Sequence, residues 1–501
     1  MWTVKLIGEK TELSTTERVC TTITASIFFL VARMILFLRF FPFLLSLGAR
    51  AVMRVRGAVS ALAFALIARS PRYIARIVLL LAFAIGLVIF TLVFQSSQAQ
   101  RITDISTYEV GTDFSGDIPP DADRLTMQDE AALYRTIPGV TSVTVGYETL
   151  GLLPGSHSPV TMQVMAVDAS TFTRTAIWSQ QYSSQTLTSL MALLIARREQ
   201  AIKNRLVPIV VDAAATHELH LGVGALLFIV LNGREDHPLS CVVVAEVQHI
   251  PTVNNSADTS VTGNTNAPVG ILMDYQTYIR VLTANVGNHV EIGRGFLFNH
   301  IWLRAQDDLT AVAHVRAMLN RKQVYLDNLY DRHAFIDELN NDPLHRTLEA
   351  FLLLGAIMAL LLALLGDLLA SWLSWRTRRT QLLVFRALGA APRQIASIFA
   401  WEQGIVYATA AMLGGVFGAI LAITAVPALT LTNISAAGVL GNVSNDEFYA
   451  LQHVIPTQII IPPSLYLVLL VLLVVFALAL TTMIWFTQRS SAAQVLRLNE
   501  D

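Results

Sequence analysis

Arg376-Thr377-Arg378-Arg379-Thr380-Gln381, then Arg386-Ala387-Leu388-Gly389-Ala390 and Arg393-Gln394-Ile395, form a basic stretch between two long apolar segments, 347–375 and 396–430. Short connections rich in Lys and Arg stay on the cytoplasmic side of a membrane. The apolar segments therefore read as crossings, and residues 376–395 as a cytoplasmic connection between them. Two more apolar runs, 76–96 and 463–488, complete a set of four. Each exceeds the roughly 18–20 residues that a helix needs to cross the hydrocarbon core. Val78 through Ile85 carries no charge, and neither does Leu465 through Thr487. Four such runs in one chain argue against buried helices of a soluble protein.

A fifth run, 21–46, ends an N-terminal segment 1–46 and contains Arg33 and Arg39. A central Arg costs about 2.5–3.5 kcal/mol on insertion scales. The run is read as a span, with an interfacial helix as the alternative. Residues 47–75 alternate Arg50, Arg54, Arg56, Arg69 and Arg72 with apolar residues, the pattern of a connector lying in the headgroup plane. Arg76, Arg376, Arg378, Arg379, Arg489 and Arg497 all fall on one side if the runs cross alternately. That side is the cytoplasm, which also takes the tail 489–501 and leaves 97–346 and 431–462 outside.

The insert 97–346 is large enough for one or two domains. Val140–Val145 and Met162–Val167 alternate apolar and polar residues at period two, as half-buried strands do. Val207–Val211 is a buried-strand run. Leu226–Val230, followed by the turn signal Asn232-Gly233, predicts a strand paired with Cys241–Ala245. Glu130–Arg135 and Leu309–Asn320 read as helices. The expected architecture is a multi-pass α-helical membrane protein of four to five transmembrane helices with a large α+β extracytoplasmic domain.

Composition excludes several functions. The chain has 501 residues, 54% hydrophobic, 14% charged, with a net charge of −1. That balance offers nothing to nucleic acid. Cys20 and Cys241 make no disulfide framework. His217-Glu218-Leu219-His220 lacks the full-turn His spacing of a zinc helix and predicts a surface helix with two solvated histidines. No nucleophile–base set stands out, so neither a catalytic centre, a cofactor nor a metal is expected. Nor is there a G-x-x-x-x-G-K-[ST] phosphate loop, so any ATPase is a separate chain.

Arg379-Thr380-Gln381-Leu382-Leu383-Val384-Phe385-Arg386-Ala387-Leu388-Gly389-Ala390-Ala391-Pro392-Arg393-Gln394-Ile395 resembles the FtsX-like, MacB-type ABC permease pattern R-x-E-I-x-x-L-R-A-L-G-A-x-x-R-x-I. Trp401-Glu402-Gln403-Gly404 and the series Gly414, Gly415, Gly418 resemble that family's next helix. Val167–Phe172 and Leu221–Gly224 resemble phrases of its outer domain. Gln381 departs from the family's Glu. Residues 21–72 resemble the connector of a duplicated permease, so the chain is similar to its C-terminal half.

The resemblance implies a coupling segment at 376–395 that docks on a cytoplasmic ABC ATPase. Leu382, Leu383, Phe385 and Leu388 would be its apolar face, and Gly389 belongs to the same segment. Arg378, Arg379, Arg386 and Arg393 would meet acidic groups or lipid phosphates. Helix-in-groove docking needs such spacing. Gly414, Gly415 and Gly418 suit close helix packing, either to a second permease copy or sister half or within the bundle. Glu402 is an intramembrane carboxylate that suits helix packing or function, and Asp367 is expected to pair with Arg376 or Arg378. The implied function is export or extraction of lipid, lipoprotein, peptide or drug across a bacterial cell membrane. The alternative is a non-transporting regulator that passes ATPase-driven motion to an extracytoplasmic cell-wall hydrolase. A membrane-anchored enzyme is a third, weaker reading.

Overall fold

The computed structural model describes residues 71–119, 126–153, 160–231, 238–253, 269–286, 298–321, 324–387, 391–430 and 455–489. The expectations for 1–46, for most of 47–75, for most of 431–462 and for 490–501 lie outside these residues. Two compact units emerge. One is helical, from α1 (Pro71–Val110) up to Gln100, with α10 (Pro343–Ala387), α11 (Pro392–Thr430) and α12 (Ser464–Arg489). The other is the α+β unit from Arg101 to Asp342, joined by a short segment ending at Pro456.

All four long apolar runs are helices, and each is long and apolar enough to cross a membrane. Two run on well beyond their apolar cores. At 1.5 Å per residue, α1 is about 60 Å long and α10 about 68 Å, against a hydrocarbon core of about 30 Å. Nothing in 97–110 breaks a helix, so α1 continues until Gly111, which takes φ +70° and donates its N–H to the Thr107 carbonyl at 2.8 Å. That is a left-handed glycine C-cap. The basic residues 376–387 are likewise the last three turns of α10 rather than a separate segment.

Burial divides the helical unit. Val78, Leu81, Ala82 and Ile85 of α1 are fully buried, whereas Phe351 and Leu362 of α10 and Leu467 and Leu473 of α12 are exposed. An apolar helix face without a protein partner is satisfied by lipid tails. Between α1 and α11 the backbones approach closely. A methyl group at Gly414 would lie 2.8 Å from the Ile85 Cβ, and one at Gly418 would lie 2.7 Å from the Ile89 Cβ.

The α+β unit is built on nine strands. They are β1 (Phe114–Asp117), β2 (Val140–Leu152), β3 (Thr161–Val167), β4 (Val207–Asp212), β5 (Leu226–Leu231), β6 (Leu239–Val247), β7 (Val269–Asp274), β8 (His300–Ala305) and β9 (Asp327–Asp331). Their order is β3-β7-β4-β6-β5-β2-β8-β1-β9, and β3 also pairs with β2. Six strands therefore close into a ring, and β8, β1 and β9 extend from it as a flap. β2 belongs to both: up to Gly146 it pairs with β8, and from Gly146 onward with β3. A Cβ at Gly146 would overlap the Ala166 carbonyl and lie 2.8 Å from the Trp302 ring, so only glycine fits where β2 changes partner.

One face of the sheet buries Val164, Ile209, Ile229, Val243 and Ile271; the other buries Met165, Val210 and Leu272. The second face packs with α3 (Ala169–Thr175) and α4 (Leu187–Ala196). Further helices are α2 (Met127–Arg135), α5 (Arg198–Asn204), α6 (Ala213–Leu219), α7 (Tyr275–Val286), α8 (Leu309–Leu319) and α9 (Arg332–Asn341). The predicted hairpin is present, with Leu227 opposite Cys241. Cys241 is free and fully buried, and burial pushes its thiol pKa up, so it packs as an inert apolar residue.

Three strands end in an aspartate, and a fourth, β3, is followed directly by one; each turns the chain into the next helix. Asp168 accepts the Ser170 N–H, Asp212 the Ala215 N–H, Asp274 the Thr277 N–H, and Asp331 the N–H groups of His333 and Ala334. A short carboxylate satisfies helix-start donors that have no partner within the helix. Asp212 also accepts the Gly270 N–H at 2.8 Å and so ties β4 to β7. Burial raises its carboxyl to about 6, against the pull of the Ala215 and Gly270 N–H groups.

Candidate coupling site

Six of the eight expected coupling residues lie in the last turns of α10 and the first turn of α11. Arg378, Arg379, Leu382, Phe385 and Arg386 lie in the last three turns of α10, and Arg393 is the second residue of α11. Leu388 and Gly389 lie outside the described residues. Arg378, Leu382 and Phe385 fall at i, i+4 and i+7 of a continuous helix, the spacing of a single face. α11 starts with a side-chain cap, since the Ala391 N–H donates to the Gln394 carboxamide oxygen at 3.1 Å.

Of the glycine series, Gly414 and Gly418 meet α1, but a Cβ at Gly415 would have no neighbour within 4 Å. The three do not share one face, because adjacent positions on a helix point about 100° apart. Glu402 is buried within the helical unit. Asp367 does not pair with Arg376 or Arg378. Its partner is the Tyr407 hydroxyl, which donates to Oδ2 at 2.7 Å. Nine residues along one helix separate Asp367 from Arg376 by about 13.5 Å, whereas α11 passes beside it. The Tyr407 ring also stacks on Phe476 of α12, centroids 4.4 Å apart and planes within 7°, so one tyrosine joins α10, α11 and α12.

In the α+β unit, the strand arriving from α1 and the strand leaving toward α9 and α10 are neighbours. β1 pairs with β9, Phe114 opposite Asp331. Asp113 locks them. Its Oδ1 accepts from Arg332 Nε at 3.1 Å and Nη2 at 2.8 Å, and its Oδ2 accepts the Ala305 N–H at 3.0 Å. Arg304 Nε lies 3.3 Å from the same Oδ2. The Asp113 carbonyl also accepts the Arg332 N–H at 3.0 Å. A buried carboxylate between two guanidinium groups resists separation because parting it leaves uncompensated buried charge. No sequence signal marks this set, since 219 residues separate Asp113 from Arg332.

His217 and His220 are exposed at the end of α6, as expected, and no three His, Cys, Asp or Glu side chains among the described residues are placed to hold a metal ion.

Residues 353–492 match the family model described as FtsX-like permease C-terminal. This part of the chain is an FtsX-like permease domain. The match takes in most of α10, all of α11 and α12, and the basic residues 376–395. No curated protein matches this chain as a sequence. Among solved structures it is similar to the extracellular domain of the noncanonic ABC-type transporter YknZ from Gram-positive bacteria. The two are 7% identical with a TM-score of 0.24, covering 43% of this chain and 98% of that one. It is also similar to the periplasmic region of MacB from Actinobacillus actinomycetemcomitans, at 11% identity and a TM-score of 0.24, covering 46% and 95%.

Proposed function

We propose that this FtsX-like chain is the permease subunit of a MacB-type ABC transporter in a bacterial cell membrane, driven by a separate cytoplasmic ATPase. The observation that carries the reading is the family match over 353–492, because it encloses the arginine-rich helical hairpin. The hairpin would dock on the ATPase through Leu382, Phe385 and Leu388, with Arg378, Arg379, Arg386 and Arg393 around them. Gly415 leaves open a surface for a second permease copy or a sister half. The α+β domain would lie outside the cell, and its two connecting strands, pinned together at Asp113, would move as one body when the helices shift. Such rigid-body motion needs no channel through the spans. The cargo classes that fit are lipid, lipoprotein, peptide and drug, with an extracytoplasmic protein as a further partner.

The test is affinity purification of the chain from its membrane, with identification of the ABC ATPase that comes with it. Carrying both Phe385→Asp and Leu388→Asp, the chain should bind that ATPase at least about 30-fold more weakly, the size of losing one interface hot spot. The variant should keep the wild-type elution profile, since the change touches the hairpin alone. Undiminished association would refute the docking assignment.

A further inference from the structure

His300 stands where the flap meets the ring. It opens β8, faces Asp117 of β1 in register, and faces Gly146 at the point where β2 changes partner. The imidazole is buried, with Nδ1 at 2.7 Å from Asp117 Oδ1 and 3.6 Å from Glu148 Oε2. Asn328 Nδ2 donates to the other Asp117 oxygen at 3.1 Å, and the Gln163 carboxamide donates to Glu148 Oε1. Asn299 fastens the same corner through the Glu148 backbone, accepting its N–H at 2.8 Å and donating to its carbonyl at 2.7 Å. Trp302 packs against the His300 ring, centroids 4.6 Å apart. Asp327 of β9 lies opposite Asp117. Among the described residues no Lys or Arg pairs with Asp117 or Glu148, so His300 is the cation that the two carboxylates share.

We propose that Asp117, His300 and Glu148 form a proton-operated latch that fastens the β8–β1–β9 flap to the six-strand ring. Both carboxylates approach the same ring nitrogen, so Nδ1–H donates to Asp117 with Glu148 beside it, and the imidazolium charge is set against the pair, while Nε2 is buried without a partner. Loss of the Nε2 proton keeps the Nδ1–H bond to Asp117 but removes the positive charge between the two carboxyl groups, and the corner loosens. β1 follows α1 and β9 precedes α9 and α10 in the chain, so the latch sits on the part of the domain through which both connections run. The proposal concerns the domain alone and does not depend on an ATPase.

The direction with pH follows from two opposed shifts. Burial by itself would lower the His300 pKa, but Glu148 and Asp117 outweigh it and the net shift is upward from 6.5. Burial would raise the Asp117 pKa, but the hydrogen bond and charge of His300 bring it below 3.8. A raised histidine stabilises fully below its ordinary value, and that contribution is lost as pH climbs through the folded value. A lowered aspartate stabilises above its ordinary value and loses that only in strong acid. The latch is therefore shut between about 4 and 6.5 and opens on the alkaline side.

Hydrogen exchange of the full chain in lipid nanodiscs tests this, at pH 5.5 and 8.5 with intrinsic rates corrected. Peptides covering β1 and β8 should exchange faster at the higher pH. Asp212 also favours its protonated form, so the wild-type result alone does not assign the group. His300→Gln should remove the pH dependence at β1 and β8. Glu148→Gln should keep the fold and move the midpoint to lower pH. Exchange at β1 and β8 that is independent of pH in the wild type overturns the latch. So does an unchanged pH dependence in His300→Gln, or an unmoved midpoint in Glu148→Gln should the first variant fail to fold.

Discussion

Asp274→Ala is expected to destabilise the α+β domain by about 3–5 kcal/mol, the cost of breaking a buried ion pair from one side. The Asp274 side chain is fully buried and accepts five hydrogen bonds. Arg198 donates through Nε at 2.8 Å and Nη2 at 2.7 Å, Thr277 through its N–H at 2.9 Å and its hydroxyl at 2.6 Å, and Ala169 through its N–H at 3.4 Å. One carboxylate thus closes β7, starts α7, and holds α3 and α5 against the ring. Alanine leaves the Arg198 guanidinium, about four-fifths buried, and three further donors without their acceptor. For a unit of this size the midpoint should fall by roughly 6–20 °C. Heating the full chain while following tryptophan fluorescence measures it, since Trp178 and Trp302 lie in this unit. Asp274→Asn, which keeps one acceptor, should fall in between. A midpoint within a degree or two of wild type would show that the network contributes nothing net.

Gly418→Leu should disrupt the helical unit, while Gly415→Leu leaves it folded. Any side chain at Gly418 meets the Ile89 Cβ at 2.7 Å and the Gly86 carbonyl oxygen at 3.0 Å; at Gly414 it meets the Ala82 carbonyl oxygen at 2.9 Å. These neighbours are backbone and the β-carbon of a branched residue, which have no rotamer to escape into. One methyl at either site should cost about 1–3 kcal/mol, and leucine more. At Gly415 the same methyl has nothing within 4 Å. The readouts are the yield of monodisperse protein in detergent and the protection of α1 from exchange. Equal damage from both leucines would mean that α11 does not present this face to α1. Damage confined to self-association in Gly415→Leu would instead identify that face as one that meets another chain.

The two glycines show how far a sequence pattern reaches. Gly414, Gly415 and Gly418 are alike as text, and small residues at such spacing announce a close helix contact without saying which helix supplies it. Asp367 is similar. A carboxylate in an apolar run needs a partner, and the arginines ahead on the same chain were the nearest candidates. Only the placement of α11 brings in Tyr407. In the insert, period-two alternation gave β2 and β3, and the turn signal gave the β5–β6 hairpin. β7, β8, β1 and β9 carry no such signal, so neither the closing of the ring through β7 nor the flap was visible.

What this sequence determines by itself is the membrane character, because the hydrophobic effect acts on run length and composition, both local. It also determines the arginine-rich hairpin that carries the family pattern, and the mixed helix-and-strand nature of the insert. The tertiary structure alone decides that the strands connected to α1 and to α9 lie side by side, and that Asp113 meets Arg332. It alone decides that Asp117 and Glu148 converge on His300. These contacts join residues some 150 to 220 positions apart. Their energy depends on distance and desolvation in the folded state, which no local pattern in the chain encodes.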